Sequence, residues 1–356
     1  MNPIVSLPST NKLLLVLLVS LVSIPNTYHT QQQSKAKREI REVKYEDGQP
    51  KERFWVLKDK EGSYYRDGKY ESWYADGHKE SEAQYRGGKL DGIAETWYAN
   101  GKKSSEGTYK NAERHGVWLF WQEDGSSWRQ EYRNGREHGT SGSWYTNGKK
   151  RGEGQQIEGK KEGVWTWWFD NGIKRSEGKY ENGKEVGVHR AWDQNGNKWN
   201  ETEYVDGGKN AKQTFYNLSG EKTLECEYKS GMKEGKEIWW YSNAQKKSEA
   251  EYKGGEKDGK YISWHNNGMK ESESIYVSGQ LQGKWAVWYE SGQKAAEGEY
   301  KDGELHGRTI RWFQSGGKKE EGEYIKGKEH GKWIYWSEDG KSKQEIEYSY
   351  GVKVSK

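Results

Sequence analysis

An aromatic residue returns every 24 positions through most of this chain of 356 residues. Twelve anchors stand four residues before a turn position: Trp73, Trp97, Trp121, Trp144, Trp168, Trp192, Tyr216, Trp240, Trp264, Trp288, Trp312 and Trp336. Ten of their eleven spacings are 24 and one is 23. A period of this length means one supersecondary unit stacked on itself, and it overrides the two or three domains that length alone would suggest.

The unit reads as a β-hairpin. Three and four residues after the anchor come Asp76-Gly77, Asn100-Gly101, Asp124-Gly125, Asn147-Gly148, Asn171-Gly172, Asn195-Gly196, Asn267-Gly268 and Asp339-Gly340. Such pairs favour two-residue hairpin turns, where both positions need positive φ. A second turn follows the tyrosine twelve after the anchor, as in YENGKEVG (180–187) and YKDGELHG (300–307). Each unit then holds two short strands and two turns. All four prolines lie in the first fifty residues, as expected if every later strand must donate its N–H groups to a ladder.

The predicted fold is all-β: an elongated, twisted single-layer antiparallel sheet of tandem 24-residue hairpins. With Asn100-Gly101 as a two-residue turn, Tyr98 faces Lys103, Trp97 faces Ser104 and Gly92 faces Tyr109. In the unit around Trp168, Trp165 faces Gly178 and Gly163 faces Tyr180, setting large rings opposite glycines.

The N-terminus differs. Residues 1–27 hold the apolar run Leu13–Ile24 behind Lys12, too short to span a bilayer comfortably and suited to a signal peptide or a short anchor. This places the chain outside the cytoplasm: secreted, periplasmic or envelope-associated. A polar tether is expected over 28–40 and a degenerate capping repeat over 41–72, where Tyr45, Trp55 and Tyr65 fall off the period. About twelve repeats fill 73–351.

The unit pattern G-x-W-x-x-W-Y-x-N-G-x-K-x-x-E-G-x-Y-x-N-G-K resembles the MORN-repeat variant of the bacterial YwqK-type antitoxin family. GVWTWWFDNGIKRSEGKYENGKEVG (163–187) and GKWAVWYESGQKAAEGEYKDGELHG (283–307) carry the likeness, which covers roughly residues 68–351. The resemblance implies a meander of hairpins and a protein-binding role. The family label implies neutralisation of a cognate toxin by direct binding.

Two charges recur in phase. Lysine stands six after the anchor at Lys79, Lys103, Lys150, Lys174, Lys198, Lys222, Lys246, Lys270, Lys294 and Lys318; glutamate stands nine after it from Glu82 to Glu345. Strand alternation puts positions six and nine on opposite faces, so no compact Lys–Glu site is expected. Repeated solvated copies lack the unique perturbed pocket that catalysis needs. No enzyme and no cofactor are expected. His115, His138, His306 and His330 precede the glycine opening a unit; neighbours about 9.5 Å apart are too distant to share a metal, so they read as polar turn residues.

Lys and Glu are interspersed and the net charge is only +4, which argues against a nucleic-acid partner. With 14% aromatic and 31% hydrophobic residues in all, Trp and Tyr supply much of the apolar surface. The candidate binding and ladder residues are Trp97, Tyr98, Trp118, Trp121, Trp144, Tyr145, Trp165, Trp168, Trp240, Tyr241, Trp285, Trp288, Tyr289, Trp312, Trp333 and Trp336. They point to a scaffold for a protein partner, with an envelope glycan or a lipid headgroup as the alternative ligand.

Overall fold

The computed structural model describes residues 37–354. The expected signal peptide and most of the expected tether lie outside them. The described chain forms one open antiparallel sheet of 27 strands, each paired with its neighbours in chain order. A typical unit has an anchor strand ending on its aromatic, such as Lys89–Trp97, and a return strand such as Lys103–Lys110.

The two turns of a unit differ, and the expected turn type belongs to the second one. At the first turn, Gly101 N–H donates to Tyr98 O at 2.9 Å and Tyr98 N–H donates to Lys102 O at 2.8 Å. Only Gly101 there has positive φ, at 80°. This is a three-residue loop, a type I turn closed by a glycine bulge. Asn100 serves it through its side chain, whose Oδ1 accepts from Lys102 N–H at 3.0 Å. The two-residue turn with both φ positive is the second, as at Asn182 (51°) and Gly183 (81°) between the paired Glu181 and Lys184.

The longer first loop is followed by a bulge in the return strand. Trp97 pairs with Lys103 while Thr96 pairs with Ser105, leaving Ser104 as the extra residue. The expected Tyr98–Lys103 and Trp97–Ser104 pairs are therefore wrong. Beyond the bulge the expected register holds: Gly92 pairs with Tyr109, Trp165 with Gly178, and Gly163 with Tyr180.

One extra residue reverses the alternation of side chains. It brings Lys103 and Glu106 together, with Nζ 2.7 Å from Oε2, contrary to the opposite faces expected from strict alternation. The same i,i+3 pair recurs from Lys79–Glu82 to Lys318–Glu321. The one 23-residue spacing is the internal control. After Trp121 the return strand has no bulge: Trp121 pairs with Ser127 and Phe120 with Trp128. Without the extra residue, Gln130 turns inward to face Trp118 and is buried.

The expected cap is a hairpin on the same plan. Tyr45 makes the first-turn bonds with Gln49 and Gly48, and its hydroxyl donates to Trp73 O at 2.7 Å. Lys44 thus holds the anchor position, and 73 − 44 = 29 exceeds the period by five residues. The excess lies in and beside the loop Asp59–Ser63. The sheet starts at Glu39, so the last two residues of the expected tether are strand.

Candidate binding faces

One face of the sheet is built from rings that cover glycines. Gly107 sits beneath the Trp118 indole, and a Cβ there would stand only 2.1 Å from a ring carbon. The indole Nε1 donates to Thr108 O at 3.1 Å, one residue beyond the glycine. Trp165 covers Gly154 and bonds Gln155 O at 3.0 Å; Trp333 covers Gly322 and bonds Glu323 O at 3.2 Å. In each case the covered glycine belongs to the preceding unit. Gly178, the partner of Trp165 in register, is instead covered by His189. Aromatic cover of these glycines therefore joins units, whereas the Trp285 indole lies over Gly298 of its own hairpin.

Neighbouring rings and cations complete this layer. Tyr109 meets Trp118 edge-on at 4.9 Å, and the Arg114 guanidinium lies 4.7 Å from the Trp118 centroid. The Lys161 ammonium lies within 4.9 Å of the Trp165, Trp167 and Tyr180 ring centres, a favourable cation–π arrangement. Burial pushes that ammonium below its ordinary pKa and the Tyr180 phenol up to about 12. Trp285 follows Ser274 where the other three indoles follow glycine, and its buried Nε1 finds no partner among the described residues.

The opposite face carries the anchors. In-phase lysines other than Lys103 lie over the anchor of the next unit: Lys150 over Trp168 at 5.5 Å, Lys222 over Trp240 at 5.8 Å, Lys270 over Trp288 at 5.0 Å, Lys294 over Trp312 at 5.9 Å and Lys318 over Trp336 at 5.6 Å. Trp97 lies between Lys79 and Lys103 at 5.6 and 5.8 Å. The same lysines bond the glutamate of their own unit, so the face is a Trp–Lys–Glu lattice, interrupted at the unit anchored on Trp121. Glu249 shows its density: Oε1 accepts from Lys236 and Oε2 from Lys246, each at 2.7 Å. Those bonds hold its carboxyl below the ordinary range.

Tyrosines after the anchors staple the turn edge. Tyr98, Tyr145, Tyr241 and Tyr289 donate to the carbonyls of Trp121, Trp168, Trp264 and Trp312 at 2.9, 2.8, 2.9 and 2.7 Å. Tyr98→Phe removes one such inter-unit bond and is expected to cost about 1 kcal/mol. Hydrogen exchange of amides in the two joined units will read the loss.

The sixteen candidates therefore do not form one patch. Trp118 (2% exposed), Trp165 and Trp333 (1%) are core. The four tyrosines are staples, and Trp97, Trp121, Trp144, Trp168, Trp240, Trp288, Trp312 and Trp336 are half-buried on the anchor face, with Trp285 half-buried on the other. The most exposed indoles were missed: Trp199 (47%), Trp239 (42%) and Trp128 (38%). All three lie off the anchor phase. Trp199 stands seven after its anchor, where other units carry Glu80, Ser104, Arg151 or Lys247; that mismatch is the sequence signal that marks it.

The histidines take a position that serves the second turn. Where other units carry an acid there, the carboxylate accepts a backbone N–H twenty residues on, as Glu162 does from Asn182 at 2.9 Å and Asp258 from Ser278 at 3.0 Å. His138 lies 3.7 Å from the Glu158 carboxylate at the same turn position.

No curated protein matches the chain. Among solved structures, a chain of the complex described as "Crystal Structure of TcdB2-TccC3-Cdc42" matches at 10% identity over 84% of this chain and 22% of that one. Its TM-score is 0.16, so the likeness carries no weight, and this chain spans about a fifth of that chain's length. A family model described as "MORN repeat variant" matches residues 66–86, 90–111, 161–182, 281–302 and 329–350. Five units, those anchored on Trp73, Trp97, Trp168, Trp288 and Trp336, thus carry the MORN repeat variant.

Proposed function

We propose that the chain is a non-enzymatic repeat scaffold that binds a protein partner outside the cytoplasm. The observation that carries this reading is the exposure of Trp128 and Trp239 on a sheet most of whose other indoles, Trp199 apart, are covered by neighbouring units or lysines. Exposed tryptophan is the residue type most enriched at the energetic centres of protein interfaces. The Trp–Lys–Glu lattice on the opposite face satisfies its own charges and offers a partner less. The apolar run Leu13–Ile24 supports export.

Full-length chain used as bait against fractionated host extract will retain one secreted or envelope protein, and Trp128→Ala with Trp239→Ala will release it. Retention unchanged by both substitutions would sink the proposed surface. Capture of a cytoplasmic toxin would replace the scaffold reading with the antitoxin one.

A further inference from the structure

The unit anchored on Trp192 departs from its neighbours at three positions, and the departures meet in space. Its first-turn residue is Asp193, where the preceding unit has Phe169 and units farther away have a stapling tyrosine. The residue before its anchor is Ala191, where Trp167, Phe215 and Trp239 stand in nearby units. Seven after the anchor it carries Trp199. Losing two large side chains and gaining one exposed indole opens a cleft of about 530 Å³ over Ala191 and Ser176, walled by Phe169 and Trp199. This lies within the range of roughly 300–1,000 Å³ typical of small-ligand sites.

The walls have distinct chemistry. Trp199 is held on its far side by Phe215, ring centres 6.2 Å apart. Arg175 lies with its guanidinium carbon 5.8 Å from the Phe169 centroid and, among the described residues, has no carboxylate in ion-pair reach. It is a free fork suited to a planar anion. Asp193 keeps its negative charge at the rim, but its oxygens are engaged within its own turn: Oδ1 accepts from Asn195 and Asn197 N–H, each at 2.9 Å, and Oδ2 from Asn197 Nδ2 at 3.0 Å, bonds that favour the ionised form.

The backbone narrows the ligand class further. Strands Lys174–Glu181, Lys184–Trp192 and Lys198–Val205 are paired on both sides, so no strand edge is free to receive an extended peptide. Recognition must come from ring faces and the guanidinium. We propose that this cleft binds an acidic saccharide, a sugar ring stacking between Phe169 and Trp199 while its carboxylate engages Arg175. The site lies between the units anchored on Trp168 and Trp192 and is independent of the protein-binding surface at Trp128 and Trp239.

Calorimetric titration of the full-length chain tests it, with a galacturonic acid trimer and a hyaluronan tetrasaccharide as acidic probes and a galactose trimer as neutral control. At least one acidic probe will bind saturably, and the neutral trimer at least about tenfold more weakly. Trp199→Ala will weaken acidic binding at least about tenfold, and Arg175→Gln will remove the preference for acid. Lys247→Gln, at the position of Arg175 in another unit, will leave it unchanged. Both test residues lie on the surface, so unfolding midpoints will verify intact sheets. Failure of both acidic probes, equal binding of the neutral trimer, or indifference to Trp199→Ala would overturn the site.

Discussion

Gly107→Ala will destabilise its two units by about 2 kcal/mol, and the same change in a Trp118→Ala background will cost almost nothing. The added Cβ points into the Trp118 ring, and overpacking of this kind costs about 1–3 kcal/mol. Gly107 does not have positive φ, so the backbone accepts alanine and the ring alone opposes it. Trp118→Ala by itself removes a fully buried indole and its bond to Thr108 O, a loss of about 3–5 kcal/mol. With the ring gone, alanine fills part of the void and lowers the strand's conformational entropy when unfolded. The two changes therefore couple by about 2 kcal/mol. An array opens unit by unit, so the measurement is hydrogen exchange of amides in Lys103–Lys110 and Glu113–Trp121. Equal cost of Gly107→Ala in both backgrounds would show that the indole does not need the glycine.

Periodicity made the fold legible, because each hairpin buries the same positions against its neighbour. The register at Gly92–Tyr109 followed from the turn position alone. What the sequence hid is the bulge. An inserted residue such as Ser104 carries no distinctive side chain, and the first loop does not reveal it, since the same three-residue loop after Trp121 leads into a strand without a bulge. Missing it inverted the faces of Lys103 and Glu106, and with them the electrostatics of the array. The 23-residue spacing was the available clue: where the bulge residue is lost, the in-phase Lys and Glu vanish too, replaced by Ser127 and Gln130. The cleft beside Trp192 was equally concealed, since Ala191, Asp193 and Trp199 look unrelated until the sheet brings them together.

The charge lattice makes stability fall with acid, and the sign is fixed by the direction of the carboxylate shifts. Glu249 is held below its ordinary 4.5 by the bonds from Lys236 and Lys246, and Glu273 by those from Lys270 and Lys260. For Glu321, burial raises the pKa, but the bonds and charges of Lys318 and Arg308 outweigh it and the net direction is down. A carboxyl whose folded pKa lies below its unfolded value adds stability at all pH above the unfolded value. That contribution is lost as pH falls through the folded pKa. Individual exposed pairs are worth at most about 1 kcal/mol, yet the pattern recurs in unit after unit, so the sum is large. The urea midpoint will stay level from neutral pH down to about 4.5 and then drop steeply. Salt at 1 M, with a screening length of about 3 Å, will lower the neutral-pH midpoint more than the midpoint in strong acid. Glu249→Gln removes one carboxylate that two lysines share, so exchange in Met232–Trp240 and Lys246–Lys253 will lose part of its dependence on pH below 4.5. If that variant and the unaltered chain give parallel pH profiles in those strands, the lysines contribute nothing through Glu249. The acid sensitivity would then belong to the rest of the lattice.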